Sequence, residues 1–544
     1  MRIAVFHLFI YFIICNNVAN AQKAVPPTSF NNTDTAAKNK QLSIIHADRE
    51  NYQKKDTIEL LSFAGHVQMK QEKTLFYCDS VAVNQKNNIV EAYGSVHIND
   101  NDSIHIYSQY LKYNHLLKKA NLRNKVKLTD NKTIITTNEL DYDVNTKIGI
   151  YTKGGTITNE KTVLTSTEAY YYGETKDASF KKNVQLNNPE YKVFTDTLLY
   201  NTNTQIARFI VSTRIENGKR IIKTSDGFYD LLNKTAQLSK RPQIIDTTYT
   251  ITANDMAFND KLGVGQAKGN AVYKDTAQGI SIIANTLFVN RIASSSLATD
   301  KPLMIVKQGN DSIYITGDTL LSGKLTDLEK VLPVSNVRDS MHGATPIVLN
   351  AKDSSWNRYF TAFHHVKIFS DSMQVVCDSM FYGGKDSTLR LLGNPIVWSQ
   401  SYQAMGDTIL AYLQNKKLER VYIYENALIA NQLDSSSNYN QVKGKTINAF
   451  LKNGVMQYAR AKGSAESIYY LINEKKKYVG VSKASSDAID IYFKENKANK
   501  VIFIKGFKGT TYPILKVQPE ELILKGFIWH SERRPKTKYE LFGL

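Results

Sequence analysis

The sequence predicts an all-β protein in which bent antiparallel hairpins stack into two consecutive arrays. Composition is the first observation, because 32 Tyr among 544 residues, abundant Thr and Asn, and only 11 Pro favour strands joined by polar turns. The second is an apolar alternation that changes phase inside the strands, and the third is its return about every 29 residues. Units of this size cannot bury their inner faces alone, so consecutive units must stack.

The repeat is defined by the residue that ends a strand just before each Asn- or Asp-rich turn. Successive positions lie 30, then five times 29, and finally 31 residues apart, and they are Val83, Tyr113, Tyr142, Tyr171, Tyr200, Tyr229, Phe258 and Val289. After each turn, a return strand carries an Ala, a Gly or Asn, and an alternating apolar pair, as in AKGNAVY at 267–273. One unit is therefore predicted to be a hairpin.

The phase change predicts a corner in each hairpin. In YTITANDMAFND (249–260), the apolar residues up to Ala253 share one parity, whereas Met256 and Phe258 share the other. A straight strand cannot place both sets on one face. We expect one extra residue at Asn254 to bend the strand, so that both arms keep their apolar side chains inward.

The pattern also divides the chain. The first array is predicted at 41–325, and the second, with less regular units, at 358–505. Between them, 326–357 brings Pro, Ser and Gly together in LPVSNVRDSMHGATP, which predicts a linker or irregular insertion. The C-terminal tail at 506–544 shows no clear unit, and its basic run is typical of a solvated tail.

The N-terminal segment predicts export. Residues 1–21 combine Arg2, an apolar run and small residues at Ala19 and Ala21, which is the layout of a signal peptide cleaved after Ala21. An uncleaved membrane anchor is the alternative, although the apolar run is short for a span. Residues 22–40 are predicted to be a flexible linker. No later segment approaches 18 consecutive apolar residues, so we expect no spanning helix in the mature protein.

The charge of the chain predicts an anionic partner. The formal net charge is +19, and it falls to +18 when Arg2 leaves with the signal peptide. An exported protein rarely meets nucleic acid, so anionic lipid or polysaccharide is the expected partner and nucleic acid is not. The alternative is a basic surface that serves only solubility.

The two cysteines of the mature chain are predicted to be buried and unbridged. Cys78 in YCDS and Cys377 in VCDS occupy matching positions of different units. Units stacked at strand spacing, about 4.8 Å per layer, place these positions beyond the roughly 7 Å Cα separation that a disulfide allows.

The sequence shows no motif that is typical of a catalytic or metal-binding site. It contains no GxSxG turn and no closely spaced His and carboxylate pattern for a nucleophile or a metal. His364 and His365 lie in a return strand, where alternation places them on opposite faces as poor joint ligands. We therefore predict a protein that is not an enzyme and that carries no catalytic residue, metal site or cofactor.

The repeated units resemble the OstA/LptA family of periplasmic lipopolysaccharide-transport proteins. The resemblance rests on a return strand followed by a strand ending in an apolar or aromatic residue and Asp or Asn, as in AKGNAVYKDTAQGISIIANTLFVN (267–290). It covers most of 41–325 and, more loosely, 359–495. Length, the second array, RAKGSAESIYY (460–470) and KGTTYP (508–513) look most like the long OstA-like proteins of Bacteroidetes-type bacteria.

The resemblance implies a β-jellyroll, an open V-shaped twisted stack of antiparallel strands whose apolar interior holds the acyl chains of lipopolysaccharide. The implied role is a conduit or bridge in lipopolysaccharide transport and outer-membrane assembly. The implied location is the periplasm, with association with the outer membrane as a further expectation. Implied partners are lipopolysaccharide or a related anionic glycolipid, other jellyroll proteins of the bridge, and the outer-membrane assembly barrel, joined through edge strands near 41–69 and after Tyr470.

The residues expected to line the lipid groove are those whose side chains point inward according to the alternation of each strand. They are Ile104, Ile106, Tyr113, Ile135, Leu140, Tyr142, Leu198, Tyr200, Ile251, Met256, Phe258, Ile282 and Leu287. Two alternatives stay open at this point. The same side chains are equally suited to a closed core, as in an exported structural or adhesive β-solenoid without a lipid ligand, and an enzyme acting on surface glycans is the third hypothesis.

Overall fold

The bent hairpin predicted from the sequence is the building unit of the molecule. The computed structural model describes residues 42–542 except 56–57, 85, 310, 330–356, 415–416, 434–437, 454, 474–476, 495–496 and 515. The signal peptide predicted at 1–21 and the linker predicted at 22–40 lie outside the described residues. Within these described residues forty strands form one hydrogen-bonded sheet, so the predicted all-β class is confirmed.

In the first units the first strand is split at the corner into two arms, β1 Ser43–His46 and β2 Arg49–Lys55, which pair with the two halves of β3 Ile58–Gln71. Strand β3 and the strands that follow it are long and pass through the corner, and those that follow are β4 Thr74–Asn84, β5 Ile89–Asp100, β6 Ile104–Asn114, β7 Lys119–Thr129 and β8 Thr133–Asp143. Each strand from β3 to β8 pairs antiparallel with the next one along the chain.

In the middle units many strands are split at the corner. These strands are β9 Ile148–Tyr151, β10 Gly155–Asn159, β11 Thr162–Ser166, β12 Glu168–Tyr172, β13 Asp177–Asn187, β14 Lys192–Asn201, β15 Ile206–Phe209, β16 Thr213–Asn217, β17 Arg220–Thr224, β18 Asp226–Asp230, β19 Thr235–Ser239, β20 Gln243–Ile245, β21 Tyr249–Thr252, β22 Asp255–Asn259, β23 Val264–Asp275, β24 Ile280–Asn290, β25 Ser295–Thr299, β26 Leu303–Gln308, β27 Asp311–Thr316 and β28 Thr319–Lys324. The split arms still pair in the order of the stack.

The last units combine short strands that are split at the corner with longer strands that pass through it. They are β29 Arg358–Phe369, β30 Gln374–Gly383, β31 Thr388–Leu392, β32 Ile396–Ser399, β33 Tyr402–Met405, β34 Thr408–Gln414, β35 Lys417–Gln432, β36 Tyr439–Lys452, β37 Val455–Ile472, β38 Tyr478–Lys494, β39 Lys497–Ile504 and β40 Lys508–Pro513. The described helices are α1 Leu325–Glu329 and two 3₁₀ turns, Pro519–Leu522 and Lys538–Leu541. In the described part of the chain, no helix has the length and apolar character needed to cross a membrane.

Every hairpin bends at a corner, which divides the stack into two walls. We call the wall that contains residues 67–71 and 96–100 wall A, and the wall that contains 80–84 and 109–114 wall B. At the corner, return strands place two consecutive residues at positive φ, as in the pairs Gly94–Ser95, Asn124–Lys125, Lys182–Asn183, Gly269–Asn270 and His364–His365. The pairing register shifts at the same points.

The corner differs in one respect from the prediction. The phase change at Asn254 exists, but the extra residue belongs to the return strand, because 253–254 stand opposite 269–271 in the register. The return strand keeps its parity across two left-handed residues, so its sequence shows no phase change. His364 and His365 are consequently corner residues, bonded separately to Asp378 and Asp318, and not alternating strand residues.

The inner faces of the two walls pack against each other along the whole stack. Buried apolar side chains form one cluster that extends from Phe63 to Ile491. Cys78 and Cys377 lie in this cluster as free thiols, as predicted, and burial raises the pKa of each thiol to about 12. The core is therefore the space between the walls.

The two predicted arrays are joined within the same sheet. Strand β29 pairs with β28 from Thr319 to Lys324 on wall B, and with β27 on wall A. The ladder of hydrogen bonds thus passes directly from one array to the next. Of the segment predicted to be a linker or insertion, 326–357, residues 330–356 lie outside the described residues.

The C-terminal residues do not form the solvated tail that the sequence predicts. Strand β40 pairs with β38, and the chain then runs back over the outer face of wall A. Leu524 and Phe527 pack there in small apolar clusters. Buried Gln441 donates to the carbonyl of Leu522 and accepts from the N–H of Leu524, and buried Gln403 binds 528–530 in the same way. Gln403 and Gln441 do not follow the 29-residue spacing of the units, which is why the sequence pattern does not reveal this packing.

The corner geometry predicts that Gly393→Ala destabilises the protein by about 2–4 kcal/mol. Gly393 has φ +75°, and an added Cβ would lie 2.6 Å from Cβ of Asp378, which cannot rotate away. Gly218→Ala is the matched control, because Gly218 has φ +58° in a turn with nothing within 4 Å. Urea unfolding should show a loss of about 1 kcal/mol for the control, and equal losses for the two variants would contradict the role of the corner.

Candidate functional site

The residues predicted to line the lipid groove all lie between the walls. Twelve of them are buried, and Phe258 is half-buried; the twelve are Ile104, Ile106, Tyr113, Ile135, Leu140, Tyr142, Leu198, Tyr200, Ile251, Met256, Ile282 and Leu287. Their exposed fractions range from 0 to 8%. The trough implied by the resemblance is therefore filled, along most of its length, by the side chains of the two walls.

The mouth of the V is closed in five successive layers by tyrosine side chains. Each tyrosine ends an arm of wall B, and its hydroxyl bonds to a residue at the tip of wall A, 38 to 42 residues earlier in the chain. We call these pairs the tyrosine clasp, and they are Tyr113 with Gln71, Tyr142 with Asp100, Tyr171 with Asp130, Tyr200 with Asn159, and Tyr229 with Tyr191. The clasp ties the tips of the two walls together across the core.

The sequence accounts for the place of each clasp tyrosine. The 29-residue period returns the tyrosine to the same tip in every layer. Its partner on the return strand is small, since Tyr113 stands opposite Ala120, and Tyr142 opposite Gly149. A small cross-strand neighbour leaves room for the ring on the inner face.

The clasp hydroxyls are held in the protonated, donating form. Burial raises the pKa of Tyr200 to about 12. Burial, together with the charge of Asp100 and the hydrogen bond to it, raises the pKa of Tyr142 further. The acceptors were not identified from the sequence, where they resemble ordinary turn residues. Their spacing was a usable signal, because Gln71, Asp100, Asp130 and Asn159 lie 29, 30 and 29 residues apart, close to the 29-residue spacing of the tyrosines.

The clasp ends where Phe258 occupies the tyrosine position. Here the guanidinium carbon of Arg220 lies 5.5 Å from the centroid of the Phe258 ring. Arg220, at the tip of wall A, also forms a 2.7 Å ion pair with Asp260 of wall B, and both side chains are 8% exposed. Burial alone would lower the pKa of Arg220, but the hydrogen bond and charge of Asp260 raise it, so the guanidinium stays charged.

Beyond Phe258 the interior is less completely buried. Several inward apolar residues are only half-buried here, and they are Tyr249, Phe258, Tyr273, Ile280, Val289, Val306 and Ile313. Ile251, Ile282 and Ile315 behind them are 7 to 8% exposed, compared with 0 to 2% for Ile106 and Ile135 in the clasped layers. We call this part, from Tyr249 to Ile315, the open section.

The described residues carry few other features of chemical function. They contain no group of three or more His, Cys, Asp or Glu placed to hold a metal ion. What the site offers is an apolar interior with an open section whose mouth lacks the clasp hydrogen bonds, and a charged cavity beside it.

The clasp predicts a measurable effect of Tyr142→Phe. The buried carboxylate of Asp100 would lose a 2.9 Å hydrogen bond, so the free energy of unfolding should fall by about 1–3 kcal/mol. Tyr107→Phe is the matched control, because Tyr107 is an exposed tyrosine of the nearby strand β6, and we expect it to change stability by less than about 0.5 kcal/mol. Urea unfolding measures both, and an effect no larger than the control would contradict the clasp.

We predict that the free energy of unfolding depends on pH through Asp130, an acceptor carboxylate of the clasp. Burial alone would raise the pKa of Asp130, but hydrogen bonds from Lys176, Tyr171 and the backbone N–H of Thr133 lower it below the ordinary 3.8. Because the folded pKa lies below the unfolded one, the stabilisation is complete above about pH 4 and disappears as the pH falls through the folded pKa.

The test compares wild type with Asp130→Asn in urea at pH 7 and at pH 3. The stability difference between the two proteins should shrink at pH 3. Asp255→Asn, at an exposed position of β22, is the control and should show a small difference at both values. A difference for Asp130→Asn that is the same at both pH values would exclude the ionised carboxylate as the cause.

The comparison with known proteins agrees with the geometry of the first units. A family model described as OstA-like protein matches residues 39–196, which include β1 to β13 and the first three clasp tyrosines. No curated protein matches the chain. The finer assignment to the long Bacteroidetes-type proteins stays a prediction. Over residues 39–196 this chain is therefore similar to the OstA-like family, and that similarity suggests a periplasmic protein related to lipopolysaccharide transport.

Proposed function

We propose that this protein is a periplasmic lipid-binding conduit or bridge in lipopolysaccharide transport and outer-membrane assembly. It is exported by the signal peptide predicted at 1–21 and holds acyl chains between its two walls. The observation that carries the proposal is the apolar interior, which is continuous from Phe63 to Ile491 and half-exposed at the mouth of the open section. Within the OstA/LptA family, such an interior is suited to a lipid.

Burial of the acyl chain supplies the affinity. Each methylene group that leaves water gains about 0.8 kcal/mol, so a fatty chain leaves the interior at high cost but slides along it at nearly constant energy. The packed side chains now fill that space, so loading requires the walls to move apart. Separation is easiest in the open section beyond the Arg220–Asp260 ion pair, because Val289 there occupies a position where tyrosine hydroxyls tie the walls elsewhere.

The two ends of the sheet offer edges for partner proteins. At the N-terminal end, β1 and β2 pair with β3, and at the C-terminal end, β39 and β40 pair with β38. An edge strand with unpaired backbone groups accepts another strand, so other jellyroll proteins of the bridge and the outer-membrane barrel are the proposed partners.

The second candidate function is a structural or adhesive solenoid with a permanently closed core. The tyrosine clasp favours it, because five layers hold their walls together by buried hydrogen bonds. In that case the open section is a looser part of the same core and takes no lipid.

Photo-crosslinking in living cells distinguishes the two functions. A crosslinking amino acid at Val289, in the open section, should give adducts with lipopolysaccharide. The same residue at Tyr107, which is exposed on the outer face, should give none. If Val289 gives no lipid adduct while a crosslinker in β40 gives efficient protein adducts, the lipid conduit is excluded and the structural solenoid is supported.

A further inference from the structure

A charged cavity lies at the mouth of the V, where the tyrosine clasp gives way to the open section. It has a volume of about 310 Å³ and is lined by turns of both walls, which places it at the lower end of the range for small-molecule sites, about 300–1,000 Å³. Wall A contributes Glu190, Tyr191, Asn217, Lys219, Arg220 and Asp246, and wall B contributes Lys234, Asp260, Lys261 and Arg291.

Positive charge is in excess in this cavity. Five basic side chains face three acidic ones. Asp260 is already neutralised, because Arg220 and Arg291 lie 2.7 and 3.2 Å from its two carboxylate oxygens. Glu190 is likewise paired with Lys234 at 2.8 Å.

The remaining groups leave two cations without a counter-charge. The third carboxylate, Asp246, accepts from the backbone N–H and hydroxyl of Thr247 in its own turn. Neither Lys219 nor Lys261 forms an ion pair with another described residue, and both are exposed at the rim.

The floor of the cavity carries an unsatisfied donor. Nε of Arg220 is the one buried side-chain nitrogen or oxygen in the described part of the protein that has no hydrogen-bond partner. The side chain is 8% exposed, and a buried donor of this kind costs free energy unless a ligand or water accepts a hydrogen bond from it. Guanidinium and ammonium groups that converge on one cavity are the usual binding partners of phosphate oxygens.

We propose that this cavity binds a phosphate group, through Arg220 on its floor and Lys219 and Lys261 at its rim. The ligand is the phosphate of a glycolipid head group, or free phosphate, which has the same chemistry. The glycolipid assignment rests on the proposed function, because the cavity adjoins the open section. A lipid whose phosphate occupies the cavity would have its acyl chains beside Phe258.

The test uses the protein without its predicted signal peptide and a double variant, Lys219→Ala with Lys261→Ala. Both lysines are exposed, so the variant should fold. The matched control is Lys127→Ala with Lys223→Ala, which removes two exposed lysines that do not line the cavity. Calorimetric titration is carried out with inorganic phosphate, with purified lipopolysaccharide, and with lipopolysaccharide from which phosphatase has removed the phosphates.

A head-group site predicts that removing the lipid phosphates weakens binding about tenfold or more, and that the cavity variant loses this discrimination while the control keeps it. Binding of inorganic phosphate that the cavity variant abolishes, without discrimination between the lipids, supports a free-phosphate site and overturns the head-group assignment. Equal behaviour of the two variants with every probe overturns the cavity as a phosphate site.

The outcomes separate this proposal from the proposed function. If both lipids bind equally well to all variants, the conduit stands and the head-group assignment falls. If neither lipid binds, the conduit falls, and the titration with inorganic phosphate still decides whether the cavity is an anion site.

Discussion

Each wall of this molecule is stable only against the other wall, and every other feature depends on that contact. A single bent hairpin exposes the apolar side chains of both arms, so its folding gains little until another layer and the opposite wall cover them. The corner makes the contact possible. Two left-handed residues on most return strands, as in Gly269–Asn270, turn the sheet and direct both inner faces to the same space.

The same interior has two uses that compete. Side chains that fill the space between the walls stabilise the protein, and a lipid that enters must displace their contacts and gain at least as much by its own burial. The structure divides the stack accordingly. In the layers from Tyr113 to Tyr229 hydrogen bonds tie the tips of the walls, whereas from Phe258 onward the apolar interior reaches the mouth and a charged cavity flanks it. The clasped layers thus stabilise the protein, whereas the open section gives lipid access to the same core.

Much of this fold could be predicted because residues at equivalent positions of a repeat recur at a fixed spacing in the sequence. The tyrosines that end the wall B arms, the phase change at Asn254 and the unbridged cysteines were all read from spacing and parity. The extra residue was assigned to the wrong strand because two left-handed residues restore the parity of the return strand. The acceptors of the clasp, such as Asp100, were missed because a turn residue and a buried acceptor have the same identity in the sequence. Only the structure places Asp100 across the mouth from Tyr142.

The packing of the C-terminal segment and the charged cavity were beyond sequence reasoning for another reason. Gln403 and Gln441 bind backbone groups more than 80 residues later, and Arg220 meets Asp260 from the opposite wall. Such contacts have no local pattern, because they depend on where the walls bring distant turns together.

The central claim is that the walls separate at the open section to admit lipid, and a distance measurement tests it most directly. Spin labels on cysteines introduced at Ala277 and Ile292, exposed turns on walls A and B of the open section, report the width of its mouth. A pair at Asp102 and Thr146 does the same for the clasped section, and the buried native thiols stay unlabelled. On saturation with lipopolysaccharide, the distance between Ala277 and Ile292 should lengthen while the clasped pair stays unchanged. An open-section distance that does not change in the lipid-saturated protein would contradict the account.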